Sequence, residues 1–305
     1  MANWSVEAEN LTRTFGDFTA VDHITFRVRE GQIFGFLGPN GAGKSTTIRM
    51  LAGILPPTSG SGRVAGFDMR TERQQIKQAI GYMSQKFSLY EDLTVRENLL
   101  FFAGVYGATD VDWAIRVCRL EEVLDVICAS LSAGLRQRAA LACAVVHRPR
   151  IVFLDEPTAG VDPASRRSFW ELIYDLAQQS VTVFVSTHYM DEAEHCDWLA
   201  LIDAGKIVAT GSPSDLRKAH FHARLLELDA EATFRWMDTL EKTPGIEEVA
   251  MHGNKLHLTV QDPVEAEKQI RLVSEKLHLP VKSIREITPS LEDIFVSVMT
   301  RQRVG

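Results

Sequence analysis

Gly38-Pro39-Asn40-Gly41-Ala42-Gly43-Lys44-Ser45 fits the phosphate-binding pattern G-x-x-x-x-G-K-[ST]. The apolar run Gln32-Ile-Phe-Gly-Phe-Leu37 before it reads as a buried strand, and Thr46-Thr-Ile-Arg-Met-Leu-Ala52 after it as a helix. Strand, glycine loop and helix form the context in which the pattern acquires meaning. Glycines let the backbone wind tightly enough to aim successive N–H groups at one anion. The helix N-terminus adds its partial positive charge at the same point. Lys44 is expected to reach the β- and γ-phosphates, and the Ser45 hydroxyl to enter a Mg²⁺ shell. The motif predicts a nucleoside triphosphate site.

Working outward, the 305 residues exceed one typical core and fit about two domains. A net charge of −7 disfavours a general electrostatic grip on nucleic acid. The longest uninterrupted apolar run, Ala139 to Val146, is far below the roughly 18 residues of a membrane span. Met1-Ala-Asn-Trp-Ser-Val-Glu-Ala-Glu9 lacks the basic start and apolar core of a signal peptide. Cys118, Cys128, Cys143 and Cys196 show no C-x-x-C spacing, which predicts reduced structural thiols in a cytoplasmic protein.

Two short strands are expected at Ser5 to Leu11 and Ile24 to Val28, ahead of the loop. Val95 to Val146 reads as largely helical. Apolar strands Ile151 to Leu154 and Val181 to Val185 flank a helix over Ser165 to Ala177. This alternation predicts a parallel sheet with helices on both faces, and Leu199 to Ile202 with Lys206 to Ala209 a hairpin at its edge. After about His220 the pattern becomes strand, helix, strand, strand, helix, strand, ending at Val281 to Ile287. That is the split βαβ, ferredoxin-like order, followed by a helix over Ser290 to Met299 with Leu291, Ile294, Phe295 and Val298 on one face.

Further polar residues stand where such a sheet places chemistry. Ile151-Val-Phe-Leu-Asp155-Glu156 sets two carboxylates at the exit of a buried strand, where sites of parallel sheets form. Asp155 is expected to hold Mg²⁺ through water, and Glu156 to polarise the attacking water. The next strand ends in Thr187-His188, so His188 is either a donor to the γ-phosphate or water, or a structural histidine. A metal site joining His188 to His195 and Cys196 is disfavoured, since the spacing matches no zinc pattern. Gln85 follows another short apolar stretch, and its amide is suited to ligate Mg²⁺ or orient water. Ser132, before a helix that Pro149 stops, reads as an N-cap, either ordinary or part of a second phosphate-binding terminus.

Taken together, these residues resemble the ATPase subunit of ATP-binding-cassette (ABC) transporters over about Val6 to Leu216. Walker A corresponds to Gly38 through Thr46, the Q-loop residue to Gln85, and Walker B to Ile151 through Asp155, with Glu156 following. The D-loop corresponds to Ala159-Gly-Val-Asp162, the switch histidine to His188 and the adenine-stacking aromatic, usually Tyr, to Phe15, with Phe18 the weaker candidate. The resemblance implies catalytic roles for Glu156, His188 and Gln85, Mg²⁺ contacts from Ser45, Gln85 and Asp155, and nucleotide contacts from Phe15, Gly38 to Thr46, Ser132, Gly134 and Asp162. It further implies that the signature segment, Leu131 to Leu135, meets the γ-phosphate of a second, head-to-tail chain or cassette. Here Ala133 and Leu135 replace a Gly and the Gln of the usual Leu-Ser-Gly-Gly-Gln. Ala133 would cost about 1 kcal/mol or more if the segment needs a positive φ there.

Gln85 to Thr94, Gly160 to Arg166 and Thr288 to Phe295 look like the drug and antibiotic exporter branch, the group containing the daunorubicin-exporter-like ATPases. Some relatives fuse two cassettes, and this sequence looks especially like the second of such a pair. The implied fold is an α/β P-loop NTPase cassette with a mainly parallel core sheet, an antiparallel edge sheet and a helical subdomain at about 87–147. The cassette occupies 1–220, and 221–305 forms a small ferredoxin-like accessory domain. The implied function is an ATP-hydrolysing exporter subunit at the inner face of the cell membrane, held there only through a separate permease contacted near Phe87 to Asp92. A soluble ABC ATPase acting on ribosomes or DNA is the alternative, but such proteins usually pair two cassettes with a basic linker or long coiled-coil insert. A cassette that binds ATP with weak turnover is a third reading, which Ala133 and Leu135 favour and intact Lys44, Asp155, Glu156 and His188 oppose.

Overall fold

In a computed structural model, residues 3–85, 89–220, 224–231, 233–288 and 290–295 are described. The chain divides into two compact units, Met1–Pro213 and Ser214–Gly305.

The first unit opens with a long hairpin, β1 (Trp4–Phe15) and β2 (Phe18–Arg29), and continues through β3 (Ile33–Leu37) into α1 (Lys44–Leu51). After β4 (Ser59–Val64), β5 (Phe67–Asp68), α2 (Arg73–Ala79) and β6 (Ile80–Met83) come three helices. These are α3 (Val95–Tyr106), α4 (Asp112–Val117) and α5 (Ala133–Val145). α3 starts at a capping box, in which Thr94 and Glu97 satisfy each other's backbone N–H groups. Next come β7 (Ile151–Asp155), α6 (Pro163–Gln178), β8 (Thr182–Thr187), α7 (Met190–Ala193) and the hairpin β9 (Trp198–Asp203) with β10 (Lys206–Gly211).

The central sheet runs β10-β9-β3-β8-β7-β6 and is parallel except for β10. Every residue of β3, β7 and β8 is buried. Strands covered on both faces are selected for continuous apolar runs rather than alternation. A second, antiparallel sheet, β2-β1-β4-β5, packs on the first through an aromatic cluster. Phe26 of β2 lies 5.6 Å from Phe34, which lies 5.2 Å from Phe184, which in turn lies 5.4 Å from Phe153 (centroid to centroid). Each such ring contributes about 1.5–3 kcal/mol through burial. The cluster thereby fixes the heights of β3, β7 and β8 relative to one another.

The second unit begins at Ser214, within α8 (Pro213–His220), and continues with β11 (Arg224–Ala230), α9 (Thr233–Leu240), β12 (Ile246–His252), β13 (Lys255–Val260), α10 (Pro263–Leu277) and β14 (Val281–Ile287). The antiparallel order β12-β13-β11-β14 is that of the split βαβ fold. Its core holds Trp236, Leu240, Leu256, Leu258 and Ile270. Leu291 and Ile294 of the closing helical stretch are buried; Val298 and Met299 lie outside the described residues.

Candidate nucleotide site

Register assembles the site. Leu37 pairs with Thr187 and Asp155 with Ser186. The glycine loop, the two carboxylates and His188 therefore emerge side by side at the carboxyl ends of β3, β7 and β8. Pro39, Asn40 and Gly41 form the exposed tip of the loop, while Gly38, Ala42 and Gly43 lie buried at its base. Gly43 caps α1 at φ +106°, and a Cβ there would stand 2.5 Å from the Ala20 carbonyl oxygen. Both conformation and space demand glycine at this position. Lys44 begins the helix, and Ser45 and Thr46 follow, half-buried.

Lys44 is only 4% exposed, and its Nζ donates to the Gly38 carbonyl (2.7 Å) and the Pro39 carbonyl (3.0 Å). The same ammonium is 3.1 Å from Glu156 Oε1. Gln85 Nε2 donates to Glu156 Oε2 at 3.1 Å. His188 Nδ1 stands 3.3 Å from that same oxygen, off the line needed for a hydrogen bond. Glu156 is thus the point on which Lys44, Gln85 and His188 converge. Its backbone is left-handed, at φ +49°, which costs a non-glycine residue roughly 1–2 kcal/mol. Its N–H donates to both the carbonyl and the Oγ of Ser186, each at 3.1 Å, and these bonds hold the strained turn.

Asp155 faces the helix instead. Ser45 Oγ donates to its Oδ1 at 3.0 Å and Ser186 Oγ to the same atom at 2.7 Å. A hydroxyl and a carboxylate side by side are the hard oxygen donors that Mg²⁺ prefers, with water and phosphate filling the remaining positions. Among the described residues, no group of three or more His, Cys, Asp or Glu is arranged to hold a metal by protein ligands alone. His195 instead bonds the Tyr174 hydroxyl through Nδ1 (2.7 Å), and burial pushes the Cys196 thiol well above its usual range.

Ser186 was not among the residues singled out from the sequence. Its only signal there is a polar residue ending an apolar strand. Its role as the clamp between Asp155 and Glu156 arises from the pairing of β7 with β8.

Other sequence-predicted residues lie away from this cluster. Phe15, at the tip of the β1–β2 hairpin, is 46% exposed, with the Arg13 guanidinium 4.5 Å from its ring centroid. Asp162 caps α6, accepting from the N–H groups of Ala164 (3.1 Å) and Ser165 (3.0 Å). The Ser165 backbone bond, foremost, lowers the Asp162 carboxyl below its ordinary range. Ser132 caps α5, accepting from Leu135 N–H at 3.4 Å. Ala133 is the first residue of that helix and has no positive φ, so the anticipated backbone cost does not arise. Gly134 is required for a different reason: a Cβ there would stand 2.6 Å from Ser165 Oγ on α6. Tyr90 lies exposed beside α3, whereas Phe87 lies outside the described residues.

Comparison with known proteins places the chain in a family. Residues 21–159 match the family described as ABC transporter, and residues 211–299 match the C-terminal domain of ATP-binding protein DrrA1-3-like. The chain is 50% identical over 218 residues to the probable multidrug ABC transporter ATP-binding protein YbhF of Escherichia coli K12, covering 70% of this chain and 38% of YbhF. It therefore spans well under half of that relative's length. The linearmycin resistance ATP-binding protein LnrL of Bacillus subtilis 168 is 31% identical over 306 residues, covering 97% of this chain and 98% of LnrL. Among solved structures, the dimeric post-hydrolysis state of the ATP-binding cassette MJ0796 with ADP and Pi superposes with a TM-score of 0.61. It is 25% identical and covers 68% of this chain and 98% of that one.

Proposed function

Because the chain belongs to the ABC transporter ATPase family, we propose that it binds MgATP on the Gly38–Thr46 loop and hydrolyses it to drive export through a separate membrane permease. The observation that carries this reading is the convergence of Lys44, Gln85 and His188 on Glu156, beside the Ser45–Asp155 pair.

In this reading the loop amides and Lys44 bind the β- and γ-phosphates. Ser45 and, through water, Asp155 would hold Mg²⁺, with the Gln85 amide as a further donor, and the bound ion would supply charge neutralisation at the phosphate oxygens. Lys44 exchanges its contacts with Glu156 and the loop carbonyls for phosphate oxygens. Glu156, released from that ion pair, accepts the proton of the attacking water. His188 donates to the γ-phosphate or the water, and Gln85 orients the same water. Phe15 stacks on the adenine.

A second chain or cassette would supply Ser132, Gly134 and the Asp162 loop to this nucleotide. Support comes from the position of Ser132 and Gly134 at the N-terminus of α5 and from the dimeric arrangement described for MJ0796. The transport role is supported by the names of the multidrug and linearmycin-resistance relatives. No described helix is long and apolar enough to cross a membrane. Tyr90, within the proposed permease contact at 87–92, packs 4.9 Å from Phe101 on α3 (ring centroids), and both are exposed, as are Leu100 and Val105. Placement at the cytoplasmic face of the membrane through the permease follows from this reading.

Two tests address the signature and the second unit. Ser132→Arg places bulk and charge at the proposed γ-phosphate contact, and it is expected to abolish ATP-driven association and turnover. Leu135→Gln, which restores a polar group at the seam, is expected to raise one or both. Full ATPase activity in Ser132→Arg would remove this segment from the site. The Ser214–Gly305 unit is proposed to modulate dimerisation, because every nucleotide-contacting residue named precedes it. A chain of residues 1–220 is expected to bind MgATP as the parent does, with an altered ATP-induced mass in light scattering. A folded but non-binding truncation would overturn that division of labour.

A further inference from the structure

A buried carboxylate outside the site described joins segments that carry three of its residues, Glu156, His188 and Asp162. Glu192 of α7 is 1% exposed, yet it belongs to none of the nucleotide-binding motifs. The Thr158 hydroxyl, itself fully buried and two residues past Glu156, donates to Glu192 Oε1. Arg166 of α6 brings its Nε to 3.5 Å from that oxygen and its Nη1 to 3.4 Å from Asp191. The Arg166 guanidinium also lies over the Tyr189 ring, 4.1 Å from the centroid, and Tyr189 in turn packs 4.1 Å from the His188 ring. Glu192 therefore ties the loop after Glu156 to the segment that carries His188, and Arg166 extends the tie to α6, whose cap is Asp162.

Such a group is costly to keep. A carboxylate withdrawn from water needs its partners, and Glu192 Oε2 has no hydrogen-bond partner. Stability alone would be served as well by an apolar residue of similar volume. What the carboxylate provides, and an apolar residue lacks, is a directional link between two loops whose reacting groups must meet within fractions of an ångström.

We propose that Glu192, with Thr158 and Arg166, is a positioning cluster that sets His188 against Glu156 and couples both to the Asp162 loop. The proposal rests on the hydrolytic reading above. Glu192 does not touch the reacting atoms; it acts through His188 and the 157–162 loop. Movement of α6, and with it Asp162, would pass through Arg166 to Tyr189 and His188.

The test uses the full chain carrying Glu192→Gln, Thr158→Val or Thr158→Ser, each in parental and His188→Ala backgrounds. Glu192→Gln and Thr158→Val are expected to lower kcat by roughly tenfold to a hundredfold, the scale of a misplaced catalytic group, with MgATP affinity changed by less than about twofold. Thr158→Ser, which keeps the hydroxyl, is expected to restore most of the rate. In the His188→Ala background, Glu192→Gln is expected to add little further loss. Full additivity with His188→Ala, or equal damage from Thr158→Ser and Thr158→Val, would overturn the proposal in favour of simple packing. Should Glu192→Gln fail to fold, the Thr158 pair carries the same comparison. A parent that binds but never turns over ATP would sink the hydrolytic reading instead. Positioning is then read from the His188 imidazole resonances, which Thr158→Val is expected to shift and Thr158→Ser to leave in place; resonances unmoved by Thr158→Val would overturn it.

Discussion

Lys44→Ala is expected to abolish tight MgATP binding. Among the described residues, the Lys44 ammonium is the cation placed by both the glycine loop and Glu156, through 2.7, 3.0 and 3.1 Å contacts. On the proposed site it trades these for the β- and γ-phosphates, and each charge-assisted hydrogen bond is worth about 1.5–3 kcal/mol. Two such bonds correspond to a loss of affinity on the order of a hundredfold to ten-thousandfold. Alanine at the start of α1 retains helix propensity, so the loop itself should survive. Calorimetry with MgATP decides the matter, and equal affinity in mutant and parent would remove the phosphate-cradle reading.

Glu156→Gln is expected to separate binding from chemistry. The amide keeps the volume and can still accept from Lys44 or Gln85 through its remaining oxygen, so ATP should bind. It cannot take a proton from water, and loss of a general base typically lowers turnover about 10²- to 10⁴-fold. With hydrolysis blocked, ATP should persist between two chains, and light scattering should report a doubled mass that ADP does not produce. Parental turnover in Glu156→Gln would mean that another group serves as the base.

Much of this site was legible because it is local. Gly38 to Ser45 is one contiguous stretch whose conformation its own glycines and helix start dictate, and Asp155-Glu156 announces itself as charge at the end of an apolar strand. Less visible were residues whose role depends on what lies across a strand pair. Ser186 gains its function by standing opposite Asp155. Gly134 is also held to glycine by the proximity of Ser165 on α6, a constraint invisible in the sequence. Asp162 is seen to cap α6 within its own chain, a contact set by its place before Pro163.

The sequence by itself determined the presence of a phosphate loop, the alternation that yields a parallel sheet, and the strand order pattern of the second unit. These follow from short-range rules: glycine freedom, side-chain period and the reach of a few residues along the chain. Tertiary structure alone decided that Lys44, Gln85 and His188 meet on one carboxylate and that Glu192 bridges two loops. It also decided that Glu156 is held in a left-handed turn by Ser186. The physical reason is register. The heights of β3, β7 and β8 are set by packing among Phe26, Phe34, Phe153 and Phe184, residues far apart in the chain, and a shift of one residue in any pair would separate the groups that must touch.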